Sequence, residues 1–110
     1  MGDLMADSYK TFYQGQLPGT VGTLATVPGG RQWIVKHIVV ANPTAGPVTF
    51  CLYKNGTTGP YQWTPSTMTV IAFGSAEWDG TEALDTAEYF AGVAGSAGSL
   101  SVTISGDEVF

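Results

Sequence analysis

The chain is short of charge. Only 12% of its 110 residues are Asp, Glu, Lys or Arg, about half the usual share. Its Lys and Arg number 4 against 9 acids, giving a formal net charge of −5. Lys10, Arg31, Lys36 and Lys54 stand far apart in sequence, so no basic cluster offers itself to a phosphate backbone, and nucleic acid is not an expected partner. Cysteine is nearly absent: Cys51 stands alone, which excludes an intrachain disulfide and the paired-cysteine metal motifs. No apolar run approaches the ~20 residues of a membrane helix, and no basic stretch followed by an apolar one marks a signal peptide. A membrane is therefore not expected as a partner. Met1-Gly2 lacks the Ser or Thr at position 6 that myristoylation wants; Ala6 is there instead. Helix-period patterning is also scarce.

What the chain has is turn residues and β-formers. Gly contributes 15 residues and Pro 6, spread along the sequence, and Thr and Val are abundant. Length fits one domain. Short strands with turns every ten or so positions predict an all-β fold, a single antiparallel β-sandwich of jelly-roll-like kind over 9–110, preceded by a short flexible N-terminal arm over 1–8.

Tyr9 to Leu17 alternates, with Tyr9, Thr11 and Tyr13 on one face and Lys10, Phe12 and Gln14 on the other. Pro18-Gly19 ends it, Thr20 to Val27 is a weaker strand, and Pro28-Gly29-Gly30 is a turn. Gln32 to Asn42 is the strongest strand, apolar on both faces and suited to the middle of a sheet. Val48 to Lys54 is its expected antiparallel neighbour. Asn55-Gly56 is a turn signal and Thr57 to Ser66 a loop. Thr67 to Phe73 and Ser75 to Asp79 read as short strands, with Asp79-Gly80 as another turn. Leu84 to Val93 fits a short helix or a strand. Gly95 to Gly98 is a turn, and Leu100 to Ser105 alternates cleanly. Gly106 fits a bulge, because Val109-Phe110 breaks the parity.

A search for chemistry yields no catalytic residue, no metal site and no cofactor. His37, the single histidine, sits mid-strand on a face with Trp33, Val35 and Val39; the plain reading is a hydrogen-bonded histidine in a core or interface. Glu77 with Glu82 around Asp79 has the composition of a glycosidase pair, but a solvated turn explains it more simply. The carboxylates lack the EF-hand spacing. The Gly92 to Gly98 run lacks the lysine and the following helix of a phosphate loop. Asn55-Gly56-Thr57 has the glycosylation pattern, which means little without a signal peptide. Tyr61 and Trp63 are the aromatics best placed to stack on a sugar or plug into a partner. With so little charge to cover a small surface, part of the chain is expected to be covered by other chains. The residues expected at such an interface are Phe12, Trp33, Tyr61, Trp63 and Phe110, although Trp33, within a strand, equally suits the core.

Several stretches resemble a family of small β-rich virion proteins of tailed bacteriophages. They are Tyr9-Lys10 with Gly15-Gln16-Leu17-Pro18, and Thr23-Leu24 before Val27-Pro28-Gly29-Gly30. Ile34-Val35-Lys36-His37-Ile38-Val39-Val40 with Asn42, and Val48-Thr49-Phe50 with Leu52-Tyr53, belong to the same set. Ala76-Glu77-Trp78-Asp79-Gly80-Thr81 and Val102-Thr103-Ile104-Ser105-Gly106 complete it. The likeness runs from 9 to 109, and departs from the pattern at Leu84-Asp85-Thr86-Ala87. It implies a virion structural protein and leaves head and tail both open. The leading expectation is a capsid decoration (cement) subunit, made in the bacterial cytoplasm and carried on the particle surface, with the major capsid protein or another virion protein as partner and a homo-oligomer, a trimer, as its state. A tail, collar or fibre-base part, and a carbohydrate-binding module using Tyr61 and Trp63 on a glycan, are the alternatives. An enzyme is not expected.

Overall fold

A computed structural model of the protein describes residues 7–64 and 68–110. Eight strands follow in order: β1 (Asp7–Gln16), β2 (Gly22–Thr26), β3 (Gln32–Ala41), β4 (Val48–Lys54), β5 (Met68–Val70), β6 (Ser75–Leu84), β7 (Tyr89–Ala94) and β8 (Ser101–Val109). They build two 4-stranded sheets, in the order β1-β8-β3-β6 and β2-β7-β4-β5, with every pairing antiparallel. The chain steps between the sheets at almost every connection, which is the jelly-roll arrangement. The fold class expected from sequence is the one observed.

The core lies between the sheets. Leu17, Val35, Leu84, Phe90, Leu100 and Ile104 are wholly buried. Aromatic rings form a ladder across its width. Phe12 stacks on Trp33 at 4.4 Å, Trp33 on Phe90 at 5.7 Å, Phe90 on Trp63 at 5.9 Å, and Trp63 meets Trp78 edge-on at 5.7 Å. The ladder runs from β1, one edge of its sheet, to β6, the opposite edge.

The sheet is kinked along one line. β1 carries an extra residue between Thr11 and Tyr13, opposite Ile104–Ser105 of β8, and β3 one between Val35 and His37, opposite Ser105–Gly106, so the two flank Ser105. The bulges therefore lie on the neighbours of Gly106. Each shifts side-chain parity. Phe12 turns into the core while Tyr13 still packs against it. On β3, Trp33 and Val35 point inward before the bulge, and Ile38 and Val40 after it. On β8 the inward series continues to Glu108, leaving Val109 only partly covered.

Several expectations are corrected. β4 is not the neighbour of β3: β3 lies between β8 and β6, while β4 sits in the other sheet between β7 and β5. Only one face of β3 is fully buried, and Lys36 is exposed on the other. Asp79-Gly80 is not a turn but lies inside β6, where the β3 register skips. Leu84 to Val93 forms no helix; a turn with Ala87 at φ 73° leads into β7. Of the strand expected from Thr67 to Phe73, Met68–Val70 is strand and 71–73 are not, while Thr67 lies outside the described residues. β1 begins at Asp7, paired with Val109, so the last residues of the expected arm are strand, and 1–6 lie outside the described residues.

One end of the sandwich is tied by Asn42, which is 2% exposed. Its Nδ2 donates to the carbonyls of Gly46, Val70 and Ile71 at 2.8, 3.0 and 3.2 Å. Its Oδ1 accepts from the Thr44 N–H at 2.9 Å and the Thr44 hydroxyl at 2.6 Å. Asn42→Ala strands these groups, and we expect a loss of about 2–3 kcal/mol in urea denaturation. Amide exchange should speed up in 42–47 and 71–74. A change under about 0.5 kcal/mol would mean that water replaces the side chain.

Candidate functional site

The residues expected at an interface divide into two groups. Phe12 and Trp33 are 9% and 5% exposed and stack on each other inside a single chain. Their rings are used up by the core, which corrects the expectation that they face a partner. Tyr61 and Phe110 are each 47% exposed. Tyr61 lies against Gly56, where a Cβ would fall 2.0 Å from the ring. Phe110 carries the Arg31 guanidinium at 3.9 Å from its ring centre, a cation–π contact. Trp63 is half-buried, with one face on Phe90.

Trp33 also anchors the most buried charge among the described residues. Its Nε1–H donates to Glu108 at 2.8 Å, and Lys10 and Arg31 approach the same carboxylate at 3.4 and 4.0 Å. Cations far apart in sequence thus converge, because β1 and β3 flank β8. The Trp33 hydrogen bond, aided by Lys10 and Arg31, holds the Glu108 carboxyl below the ordinary carboxylate range although burial pushes it up. A depressed value means that ionised Glu108 stabilises the fold above the unfolded carboxyl's ~4.3, and that this contribution fades as pH falls through the folded value. Denaturation free energy followed from pH 7 into acid should therefore fall less steeply for Glu108→Gln. An unchanged acid limb would mean Glu108 takes no part. The remaining basic groups, Lys36 and Lys54, pair with Asp107 and Glu82.

The bulge at Lys36 carries His37 to the outer face, away from Trp33 and Val35, where sequence parity put it. There its Nδ1 lies 2.6 Å from Asp79 Oδ1. Glu77 joins them, and one ligand atom from each of the three lies within 4.8 Å of the others. Such a set has the chemistry to hold a divalent cation, but it is a surface cluster with two exposed members. Sequence reading paired Glu77 with Glu82. The structure separates them, since Glu82 turns to Lys54. Gly92 is a strand residue against Leu17 and Leu52, so the glycine run is not a phosphate loop. Cys51 is buried, with Gln62 Nε2 donating to its sulfur at 3.3 Å.

Between the sheets, beside the β6 edge, is an apolar cavity of about 160 Å³ walled by Ile38, Val40, Phe50, Leu52, Trp63 and Trp78. Outside it, Tyr61, Gln62, Trp63, Lys54 and Glu82 line a shallow depression of about 230 Å³. Apolar side chains are also displayed at the Asn42 end: Ile71 is 71% and Phe73 75% exposed. Sequence reading missed both, because it placed them in a strand.

No family model matches the sequence, and no curated protein matches it. Among solved structures, the chain is similar to one from the disulfide-linked pili of Bacillus endospore appendages, with a TM-score of 0.51 and 12% identity over 96% of this chain and 85% of that one. Two virus particles are also similar. For infectious bursal disease virus, Gx strain, the TM-score is 0.47 at 17% identity, covering 97% of this chain but only 32% of the virus chain. For the naturally occurring empty particles of cowpea mosaic virus it is 0.41 at 13% identity, covering 96% and 83%. At such identities the likeness is one of fold, and together with the strand order it establishes the chain as an eight-stranded antiparallel jelly-roll sandwich.

Proposed function

We propose that this chain is a structural protein of a tailed-phage virion, a capsid decoration (cement) subunit that binds the assembled head, as a trimer, through contacts with the major capsid protein. The observation that carries this reading is the mismatch between charge and exposure. The chain has 12% charged residues, yet it leaves Tyr9, Tyr61, Ile71, Phe73 and Phe110 between 47% and 75% exposed. An assembled particle covers such surface. The sequence resemblance supplies the virion, and the pilus likeness is a further case of this fold in an assembly subunit.

The physical logic is simple linkage. A subunit that binds only the closed shell stabilises it by mass action, without needing any reactive group. The test is to add purified protein to particles lacking it and follow co-sedimentation and the temperature of DNA release. Saturable binding with a raised release temperature is expected. Binding confined to isolated tails would instead favour a tail, collar or fibre-base part. A glycan-binding module is the second reading, favoured by the depression that Tyr61 and Trp63 share. It requires glycan affinity that Trp63→Ala removes while shell binding survives.

A further inference from the structure

We propose that the Asn42 end of the sandwich is a self-association surface, on which a second copy of this chain seats against Ile71 and Phe73. This takes from the reading above only that the chain associates with itself, and rests neither on the trimer nor on the virion.

Antiparallel pairing brings the loops 17–21, 42–47, 71–74 and 95–100 to one end, since Gln16, Ala41 and Ser75 all meet at or beside Ser101. Hydrogen bonds join them in pairs. Leu17 and Pro18 carbonyls accept from Gly98 and Ala94, and the Thr44 carbonyl accepts from Phe73 N–H at 3.1 Å. None of the residues in these loops is Asp, Glu, Lys, Arg or His. Arg31, Lys54, Asp85, Glu88 and Glu108 all lie toward the opposite end. The large apolar side chains this uncharged end displays are Phe73, Ile71 and the 39% exposed Val21, beside exposed Thr20 and Ser96.

The display is rigid. Phe73 holds φ 57°, a left-handed conformation that a bulky residue adopts only when its surroundings impose it. The surroundings hold it on both sides: the Phe73 N–H donates to the Thr44 carbonyl and the Gly74 N–H to that of Ile71, which Asn42 also binds. A Cβ on Gly74 would fall 2.6 Å from Ile71 Cγ1, so glycine there leaves room for the isoleucine.

The missing charge selects the occupant. Where two copies meet about a twofold axis, the side chains nearest the axis approach their own counterparts, and a charge there would meet its like. For a chain of net charge −5, an end without charge is the surface on which copies approach most cheaply. A partner chosen by charge finds nothing to read here, and an anionic bilayer finds no lysine or arginine rim. Size is adequate. The long 51 Å axis must follow the strands, so the end measures 26 by 19 Å. Covered in full, two such ends would bury about 1,000 Å² together, near the lower bound for a specific interface.

The test is sedimentation velocity of the full chain over a concentration series, with Phe73→Asp and, at the other end, Tyr61→Asp. Asp is better suited than Phe to the left-handed backbone, and circular dichroism verifies that the variant folds. We expect the parent and Tyr61→Asp to associate, and Phe73→Asp to remain a monomer until at least tenfold higher concentration. A parent that stays monomeric to millimolar concentration overturns the proposal. So does association abolished by Tyr61→Asp but not by Phe73→Asp, which would put the contact at the opposite end. Binding of the monomer to phosphatidylcholine vesicles, lost in Phe73→Asp, would assign the end to a bilayer instead. None of these outcomes depends on whether the protein is found in virions.

Discussion

Gly106→Ala is expected to cost about 4 kcal/mol or more, roughly a thousandfold in the folding equilibrium, and to leave little folded protein. A Cβ at this position would fall 2.0 Å from the Ile34 carbonyl oxygen, 2.9 Å from its carbon and 3.0 Å from the Lys36 nitrogen. These are backbone atoms of β3, which cannot swing aside as a side-chain tip can. β8 is also held on its other side by β1. Relief would require the strands to part at the line of bulges, where β1 and β3 are already kinked. Gly29→Ala is the control, because nothing lies within 4 Å of its Cβ; it should change stability by no more than about 0.5 kcal/mol. Urea denaturation of both decides the matter. A Gly106→Ala protein within about 1 kcal/mol of the parent would mean that the close approach of β3 is not a constraint.

Trp33→Ala should be nearly as severe, at about 4 kcal/mol. The ring sits between Phe12 at 4.4 Å and Phe90 at 5.7 Å, so its removal opens the aromatic ladder at the centre of the core. It also removes the donor that contributes most to keeping Glu108 ionised. Trp33→Phe separates these effects. It keeps a ring in the stack but leaves the buried carboxylate short of its 2.8 Å hydrogen bond. A loss of about 1–3 kcal/mol at neutral pH is expected, with a shallower acid limb of the stability curve, because a Glu108 no longer held as low loses less on protonation. Equal losses for the two substitutions would mean that the hydrogen bond, and not the stack, is the main contribution.

The strands were largely legible where β-branched and apolar residues run or alternate and turns are marked by proline or glycine, as in Gln32–Ala41 and Ser101–Val109. Their partners were not. A jelly roll sends the chain across the core between most neighbours in sequence, so β4 could not be assigned by proximity to β3. Asp79-Gly80 misled because the pair serves a register skip inside β6, where an Asp-Gly signal ordinarily means a turn. The face of His37 depended on a bulge at Lys36 that leaves no mark in the sequence of β3. Its cause is in β8, where Gly106 and the broken parity at Val109-Phe110 did register, but as a bulge in the wrong strand.

The candidate surfaces were less readable. Tyr61 and Phe110 are exposed as an interface residue must be, whereas Phe12 and Trp33 went to the core because large aromatics suit both places. Ile71 and Phe73 gave no sign, since a β-branched residue and an aromatic after Val70 look like more strand. The signal that marks them is the absence of charge from four separate loops, which gains meaning only once the fold gathers those loops at one end.

The central claim, that this is a shell subunit of a virion, is tested most directly by counting it. Quantitative mass spectrometry of purified particles should give a copy number in fixed proportion to the major capsid protein, near one to one or as set by the threefold sites. Its absence from the particles, or presence at a low percentage of the capsid protein, would contradict the account.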